Sequence, residues 1–325
     1  MINKVLILGK MPLPIGGVRI HVRRLIADLS KRKYPFFHFY NLEKESIWKI
    51  FLKVPQYKVV HLHTSNAYFQ LILAIYCLLI PGKLIITYHG NWGRHGIFKN
   101  FAAQLSALFA FYILVLNDES LKKVIKWNKN SLLVSAFIPP HESIPLNSNV
   151  LQKILNYQKK YKYLFCTNAS NLTFDKNGKE IYGISSLIAK ILKTSHTALL
   201  VSDPSGTYKK YIESYSGKLP ENIFFITGIH DFYSVLKLSD AFIRNTTTDG
   251  DSISIHEAIL CNIPVFATDC VSRPNECMIF KDISAIDLVE ELERKKLNYK
   301  GETVLQNGLE TVGKLILLYN QCLLH

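Results

Sequence analysis

The segment 246–269 reads TTTDGDSISIHEAILCNIPVFATD, and its pattern decides the fold that we expect. Gly250 lies in a polar loop, and Ser252 and Ser254 supply hydroxyl oxygens of the kind that cap the start of a helix. Apolar residues then recur at helical spacing until Pro264, after which a short apolar run follows. The segment therefore predicts a loop, a short helix and a buried strand in direct succession.

A helix that begins in such a loop directs unpaired backbone N–H groups and the positive end of its dipole outward, and both favour a bound phosphate. Glu257 lies about one turn inside the predicted helix, where its carboxylate could accept hydrogen bonds from sugar hydroxyls. The alternative for Glu257, and equally for Asp249, is that the acid only stabilises the helix dipole. The segment thus predicts a phosphate-binding loop.

Strands and helices alternate along the rest of the chain. Short strands are predicted at 5–9, 59–64, 84–87, 112–116, 163–166, 198–202, 223–227, 241–243 and 265–268. This alternation is typical of doubly wound α/β folds with parallel sheets. The stretch 139–148 is rich in Pro, Ser and Asn, which predicts a boundary between two domains, 1–145 and 146–325.

Composition limits the class of protein. A chain of 325 residues with 48% apolar content can bury the cores of two domains. Its six cysteines form no C-x-x-C pair, which favours free thiols in a reducing cytoplasm. Residues 1–10 predict a strand rather than a signal peptide. The apolar stretches 71–80 and 101–116 are too short to span a membrane, and we expect buried helices and strands there.

The net positive charge lies almost entirely in the first half of the chain. Residues 1–150 contain 19 Lys/Arg and 6 Asp/Glu, whereas residues 151–325 contain 20 and 19. A basic half favours an anionic partner, which could be membrane lipid, a lipid pyrophosphate or nucleic acid. Nucleic acid is the least favoured, because the sequence shows no basic recognition helix, no RNP-like aromatic pair and no zinc-finger spacing.

Three motifs in the first half are candidates for binding. Gly16-Gly17 follows the first strand, and adjacent glycines allow a ligand to approach the backbone closely. His61 and His63 lie two apart on one strand, a spacing that could serve a metal, although no third ligand is nearby. His89 begins a polar turn at the carboxyl end of a strand, where open α/β sheets bind ligands.

Several of these motifs resemble those of the retaining GT-B glycosyltransferases of glycosyltransferase family four. Asp249-x7-Glu257 is similar to the Glu-x7-Glu motif of that family, and the AILCNIPVFATD run after Glu257 resembles its EA-x-x-x-G-x-PV-x-A-x-D run. The resemblance implies that Glu257 holds the nucleotide ribose and that the amides of Ile253 and Ser254, in the loop with Gly250 and Ser252, hold the diphosphate. It also implies that Asp249 contacts a hydroxyl of the donor sugar.

The resemblance extends to the first half of the chain. The run Gly16-Gly17-Val18-x-x-His21 is similar to the family's GGV-x-x-H loop beside the donor phosphates, and Thr87-Tyr88-His89-Gly90 is similar to its T-x-HG element, whose His lies beside the transferred sugar. The implied fold is GT-B, with two facing Rossmann-like domains and an interdomain cleft. By the same resemblance, about 304–325 is expected to form a helix that crosses back to the first domain.

The chain departs from the family at the residues that neutralise the donor diphosphate. The family has an Arg and a Lys at two positions where this chain has Asn171 and Tyr182. By its position, Asn171 is still expected to lie among the donor-binding residues. Other cations would have to compensate, and Lys176, Lys179 and Arg273 are the candidates. We expect Arg273 to bind phosphate in a bidentate manner. The alternative is a surface Arg that pairs with Glu276 or with a backbone carbonyl group.

By resemblance, the expected activity is a retaining, metal-independent hexosyltransferase without a cofactor. Its donor would be a UDP- or GDP-sugar, and its acceptor a cytoplasmic saccharide, in particular a lipid-linked one met on the inner face of the membrane. A second possibility is a catalytically silent GT-B protein that binds a sugar or a partner. A third is that Asp249 and Asp251 hold a divalent metal, since Asp-x-Asp serves that purpose in another glycosyltransferase fold.

Overall fold

Two six-stranded parallel sheets organise the protein. The computed structural model describes residues 1–11, 16–175, 177–298 and 305–324. The chain divides into two compact units. The first comprises Met1–Pro139, Gly250–Ser252 and Gln306–His325, and the second comprises Pro140–Asp249 and Ile253–Leu305.

In the first unit each strand is followed by a crossover to the next parallel strand. The strands are β1 (Ile2–Gly9), β2 (Phe37–Asn41), β3 (Tyr57–His63), β4 (Lys83–Tyr88), β5 (Tyr112–Val115) and β6 (Ser131–Leu133). The helices are α1 (Gly17–Lys31), α2 (Ile47–Lys53), α3 (Ala67–Leu78), α4 (Ile97–Phe109) and α5 (Asp118–Val124). The strand order is β2-β1-β3-β4-β5-β6, so the order reverses between β1 and β3.

The second unit repeats the pattern. Its strands are β7 (Tyr163–Asn168), β8 (Thr197–Asp203), β9 (Ile223–Thr227), β10 (Ala241–Arg244), β11 (Val265–Thr268) and β12 (Cys277–Phe280). Its helices are α6 (Ser148–Lys160), α7 (Ile184–Leu192), α8 (Thr207–Ser216), α9 (Phe232–Leu236), α10 (Ile253–Leu260) and α11 (Leu288–Asn298). The strand order β12-β11-β10-β7-β8-β9 reverses between β7 and β10.

Strand alternation separates the two faces of the first sheet. Leu6, Leu62 and Ile86 point to one face, where α2, α3 and α4 pack on them. The last helix, α12 (Leu305–Leu324), contacts the opposite face through Tyr319, whose hydroxyl lies 2.6 Å from His61 Nδ1. The expected return of the C-terminal helix to the first domain is thus confirmed for the residues described.

The predicted strands and the doubly wound sheets are confirmed. All six cysteines are free thiols. The expectation that 71–80 and 101–116 are buried is wrong in part, because α3 and α4 bury one side and leave Ile72, Ile75, Phe101 and Leu108 about half exposed. Among the residues described, no helix has both the length and the hydropathy to cross a bilayer.

Candidate functional site

The carboxyl ends of β7 and β10 lie side by side at the point where the second sheet reverses its strand order. In open α/β sheets such a point leaves a crevice in which ligands bind. Asn168 ends β7 and Arg244 ends β10, and Arg244 Nη1 donates to Asn168 Oδ1 at 3.1 Å. Polar groups of two neighbouring strands therefore meet at the expected position for a ligand.

Asp249 lies between two arginines at this edge. Arg244 donates to both carboxylate oxygens, with Nε 2.9 Å from Oδ2 and Nη2 3.1 Å from Oδ1. Arg273 Nη1 donates to Oδ2 at 3.0 Å. All three side chains are nearly or fully buried. The three formal charges leave the cluster with one net positive charge.

Pairing overcomes the cost of burying these charges. Burial alone would raise the pKa of Asp249, but its contacts with Arg244 and Arg273 lower that pKa to about 2. Burial alone would lower the pKa of Arg244, but the Asp249 carboxylate outweighs it and raises that pKa above its usual value. Asp249 is therefore an anion at every physiological pH, and an anion can accept hydrogen bonds from hydroxyl groups.

The side chain of Arg273 is held by the protein. Its Nε donates to the Thr268 carbonyl oxygen at 3.0 Å, and Nη2 lies 3.2 Å from Thr246 Oγ1. With 3% of its side chain exposed, Arg273 is not a surface residue. The alternative is therefore wrong about its placement, although the backbone carbonyl partner that it named is found at Thr268. The structure instead places Arg273 beside Asp249, where its charge acts within the same buried cluster.

Arg244 was not identified from the sequence. A signal was present, because an Arg that ends the apolar strand AFIR stands at the edge where α/β sheets bind ligands. Its guanidinium also lies over the ring of Tyr182, with Cζ 5.1 Å from the ring centroid. Thus a cation does approach Tyr182, one of the two positions where the family that the sequence resembles carries a cation.

The other positions considered for the diphosphate make different contacts or lie outside the described residues. Asn171 accepts a hydrogen bond from Thr207 Oγ1 at 2.9 Å. Lys179 is exposed, and its backbone N–H donates to Asp175 Oδ1 at 3.0 Å. Lys176 lies outside the described residues. Of the cations named from the sequence, Arg273 is the one found in the buried cluster.

Helix α10 begins beside the same edge. It starts at Ile253, and the Ser254 hydroxyl accepts a hydrogen bond from Asn168 Nδ2 at 2.7 Å. Ser252, Ile253 and Ser254 are buried, and Glu257 is only 3% exposed. The predicted loop, helix and strand are therefore confirmed, and Glu257 points inward rather than into bulk solvent.

In the first unit, four histidines gather at the carboxyl ends of β3 and β4. His63 Nδ1 lies 3.1 Å from His89 Nε2, and the ring of His21, on α1, lies 5.3 Å from that of His63 and 5.2 Å from that of His89. The ring of His61 is 4.1 Å from that of His63. The structure thus brings together His21 and His89, which come from two separate sequence motifs.

These histidines are held neutral. Burial lowers the pKa of His61 to about 3, and burial followed by the neighbouring histidines lowers the pKa values of His63 and His89 well below their usual range. A neutral imidazole carries one donor and one acceptor nitrogen, so it can orient a hydroxyl without transferring charge. His63 Nε2 is buried without a hydrogen-bond partner among the described residues.

The segment Gly250–Ser252 packs against this histidine cluster. A Cβ atom at Gly250 would lie 3.3 Å from Gly90 Cα and 3.4 Å from the His89 carbonyl oxygen, so only glycine fits without displacement. Asp251 Oδ2 accepts hydrogen bonds from Ser135 Oγ at 2.6 Å and from the Ala136 N–H at 2.8 Å. The turn that carries His89 is therefore fixed by close backbone contact.

A small pocket opens to solvent beside His89. Its wall consists of polar and aromatic groups that could contact a saccharide, among them Thr64, Gln70, Asn91 and Trp92. Gly16 precedes α1 in an extended conformation with φ of −171°, and Gly17 is the first residue of that helix. No atom of the described residues lies within 4 Å of a Cβ built on Gly16.

The described residues contain no group of three or more His, Cys, Asp or Glu side chains arranged to hold a metal ion. The two carboxylates of the Asp-x-Asp pair are engaged differently. Asp249 accepts from two arginines, whereas Asp251 accepts from Ser135 and the Ala136 backbone.

No protein-family model and no curated protein sequence matches the chain. Solved structures do match it over nearly their whole length. Anabaena Alr3699/HepE in complex with UDP-glucose superposes with a TM-score of 0.67 at 13% identity, covering 99% of this chain and 98% of that one. WaaG, a glycosyltransferase involved in lipopolysaccharide biosynthesis, gives 0.68 at 13% identity, covering 97% and 99%.

Sucrose-phosphate synthase from Thermosynechococcus elongatus gives a TM-score of 0.68 at 15% identity, covering 98% of each chain. At these identities the similarity concerns the fold. The two doubly wound parallel sheets and the returning C-terminal helix agree with it. The chain has the GT-B fold, with two Rossmann-like domains.

Proposed function

We propose that the protein is a glycosyltransferase that uses a nucleotide diphosphate sugar as donor. The observation that carries this proposal is the buried cluster of Arg244, Asp249 and Arg273 beside the start of α10, at the strand reversal of the second sheet. A net positive cluster and a helix N-terminus both favour a diphosphate. Structures with the same fold bind UDP-glucose, in the case of HepE, and UDP.

The donor would be held in three parts. The amides of Ile253 and Ser254 would bind the diphosphate, and Arg244 and Arg273 would supply the positive charge that Asn171 and Tyr182 lack. Glu257 would accept hydrogen bonds from the ribose hydroxyls. Gly16 and Gly17 would leave room for the phosphates.

Transfer would proceed with retention of the anomeric configuration and without a metal. The acceptor hydroxyl would attack the anomeric carbon from the face that the diphosphate leaves, and its proton would pass to a departing phosphate oxygen. Positive charge at the site would stabilise the leaving group. His89 and Asp249 would orient hydroxyls of the sugar.

A transfer assay over a panel of UDP- and GDP-hexoses tests this function. We expect one donor to be consumed in the presence of a chelator, and the product to keep the donor's anomeric configuration by NMR. Inverted product, or activity that a chelator abolishes and manganese restores, would contradict the mechanism.

The acceptor would be a cytoplasmic saccharide, in particular one linked to a lipid pyrophosphate at the inner face of the membrane. The support is the charge of the first 150 residues, 19 Lys/Arg against 6 Asp/Glu. WaaG, which has the same fold, is involved in lipopolysaccharide biosynthesis. An acceptor with a pyrophosphate should therefore react faster than the same saccharide without it, and this advantage should shrink at raised salt.

A second candidate function is binding without catalysis. It is favoured by Asn171 and Tyr182, which stand where the family carries an Arg and a Lys. A silent protein would bind a nucleotide sugar and neither hydrolyse nor transfer it. Single-turnover assays with excess protein distinguish the two, because they detect even a slow chemical step.

A further inference from the structure

The outer side of α3 is apolar along its whole length. Tyr68, Ile72, Ile75 and Leu79 follow one another at helical spacing on the exposed side, and all four are at least 45% exposed. The helix sequence AYFQLILAIYCL contains no charged residue. A helix on the surface of a soluble domain normally presents polar side chains there, so this side has the composition of a contact surface.

The helices on either side of α3 continue the surface. In α2, Trp48 is 80% exposed and Leu52 lies one turn further on the same side. In α4, Ile97 and Phe98 are more than 80% exposed, and Phe101 follows at helical spacing. We call the exposed residues Trp48, Leu52, Tyr68, Ile72, Ile75, Leu79, Ile97, Phe98 and Phe101 the α2–α4 face.

The three helices form one continuous layer. Their buried sides share a single core, to which α2 contributes Ile50, α3 contributes Leu73 and α4 contributes Ala107. The Phe51 and Tyr76 rings lie 4.9 Å apart and join α2 to α3. Helix α4 packs directly against α3. Their opposite sides therefore point away from the core together.

Every formal charge in this part of the chain is positive. Residues 46–117 contain six Lys/Arg and no Asp or Glu. Four of these cations, Lys49, Lys53, Arg94 and Lys99, are exposed in or near α2 and α4. Apolar side chains flanked only by cations have the composition of a helix layer that inserts into the headgroup region of an anionic bilayer.

We infer that the α2–α4 face is the surface through which the protein docks on an anionic lipid bilayer. A second copy of the chain is a poorer occupant, because pairing two such faces would bring their cations together and residues 46–117 contain no acid to offset them. The inference deepens the proposed function, since the pocket beside His89 is lined by Arg94 and Asn100 at the start of α4. An acceptor anchored in the bilayer would meet the protein at that end of the layer.

Co-sedimentation with lipid vesicles tests the inference without any nucleotide sugar, so its outcome is separate from that of the transfer assay. We expect binding to mixed phosphatidylglycerol and phosphatidylcholine vesicles, and weaker binding at raised salt or to pure phosphatidylcholine. The double variant Ile72→Glu, Phe98→Glu should bind at least roughly tenfold more weakly. The matched control is Leu317→Glu, a 70% exposed leucine of α12 in the same unit; it should bind like the wild type.

Trp48 provides a second readout. Trp92 is buried and Trp127 partly buried, so exposed Trp48 should give the blue shift in emission when anionic vesicles are added, and Trp48→Phe should remove that shift. Equal binding of the double variant and Leu317→Glu would overturn the inference, as would no binding to anionic vesicles. If the wild type formed a dimer in the absence of vesicles and the double variant did not, the α2–α4 face would be assigned to contact with a second copy instead.

Discussion

At the residue scale, the arrangement that matters most is one carboxylate between two buried arginines. Arg244 and Arg273 approach Asp249 from two different chain segments, and each also donates to other oxygens of the second sheet. Removing one member of a buried ion cluster leaves the others without compensation, which costs more than the contact itself is worth. The cluster therefore serves both the stability of this edge and its positive potential.

We expect Arg244→Met to lower the free energy of unfolding by about 3 kcal/mol, because Asp249 would keep one arginine partner instead of two. Urea unfolding measures the loss. The control is Arg294→Met, which removes a 70% exposed arginine that pairs with Glu291 on α11, and it should cost less than about 1 kcal/mol. If both variants lost the same small amount, the cluster would not be the buried unit described.

The buried histidines make stability depend on pH. His61 is ordinary in the unfolded chain, with a pKa of 6.5, and has a pKa of about 3 in the folded protein. Below pH 6.5 the unfolded state therefore binds more protons than the folded state. The contribution of His61 to the free energy of unfolding is complete above pH 6.5 and is lost as the pH falls towards about 3.

For His61 alone, we expect the free energy of unfolding to decrease by about 2 kcal/mol between pH 6.5 and pH 5. His61→Gln should reduce that slope, because the substituted side chain does not titrate. Chemical unfolding at a series of pH values provides the comparison. Identical slopes for the variant and the wild type would show that His61 is not held neutral.

The sequence was sufficient to predict most residues of the candidate site, but it did not predict the ion pairs among them. Asp249, Glu257 and Arg273 stand in a recognisable loop, helix and strand, so local pattern was sufficient to select them. Arg273 reaches Asp249 from 24 residues further along the chain, and that proximity is a property of the folded unit. Local pattern carries no information about such a contact.

At the element scale, the turn after β4 and the loop before α10 are in close backbone contact. A Cβ atom at Gly250 would lie 3.3 Å from Gly90 Cα and 3.4 Å from the His89 carbonyl oxygen, so a branched side chain would have to displace these backbone atoms. We expect Gly250→Val to displace this turn and to lower kcat/KM for transfer by roughly ten- to hundredfold, since small displacements of positioning groups are costly.

The control for Gly250→Val is Gly313→Val in α12, because no atom of the described residues lies within 4 Å of a Cβ built on Gly313. This variant should keep the wild-type kcat/KM. Thermal unfolding of both variants separates a local displacement from a loss of folding. A fully active Gly250→Val would contradict the proposed tie between the loop and His89.

Helix α12 is fixed to the first sheet by polar contacts along its last turns. The Tyr319 hydroxyl contacts His61, and Lys58 and Lys83 donate to the carbonyl oxygens of Leu323 and Cys322. Tyr319→Phe should cost about 1–2 kcal/mol, because it leaves the buried His61 Nδ1 without a partner. Urea unfolding measures this, with the exposed Leu317→Ala as the control that should be nearly neutral.

The elements that sequence pattern did not reveal are edge strands. β2, β6 and β12 each end a sheet, and their burial is interrupted by exposed or half-exposed residues. A central strand such as β8, which is buried along its whole length, produces a continuous apolar run that can be recognised. β2, β6 and β12 lack that run, so their pairing with a neighbouring strand determines that they form. The remaining edge strand, β9, is buried over its first four residues and was predicted from its apolar run.

At the scale of the whole molecule, charge and chemistry are divided between the two halves of the chain. The first 150 residues carry 19 Lys/Arg against 6 Asp/Glu, and the remainder is nearly balanced at 20 against 19. The balanced half holds the arginine cluster at its strand reversal, and the basic half holds the histidine cluster and the α2–α4 face. This division suits a donor site in one domain and an anionic acceptor or surface at the other.

The central claim is that the strand reversal of the second sheet binds a nucleotide diphosphate sugar. Isothermal titration of the wild type with UDP- and GDP-hexoses tests it most directly, beside Arg244→Met, Glu257→Gln and the exposed control Leu317→Ala. We predict saturable binding of one donor, weakened by roughly tenfold or more in Arg244→Met and Glu257→Gln and unchanged in Leu317→Ala. Binding that is equally strong in all four proteins, or absent for every nucleotide sugar, would contradict the claim.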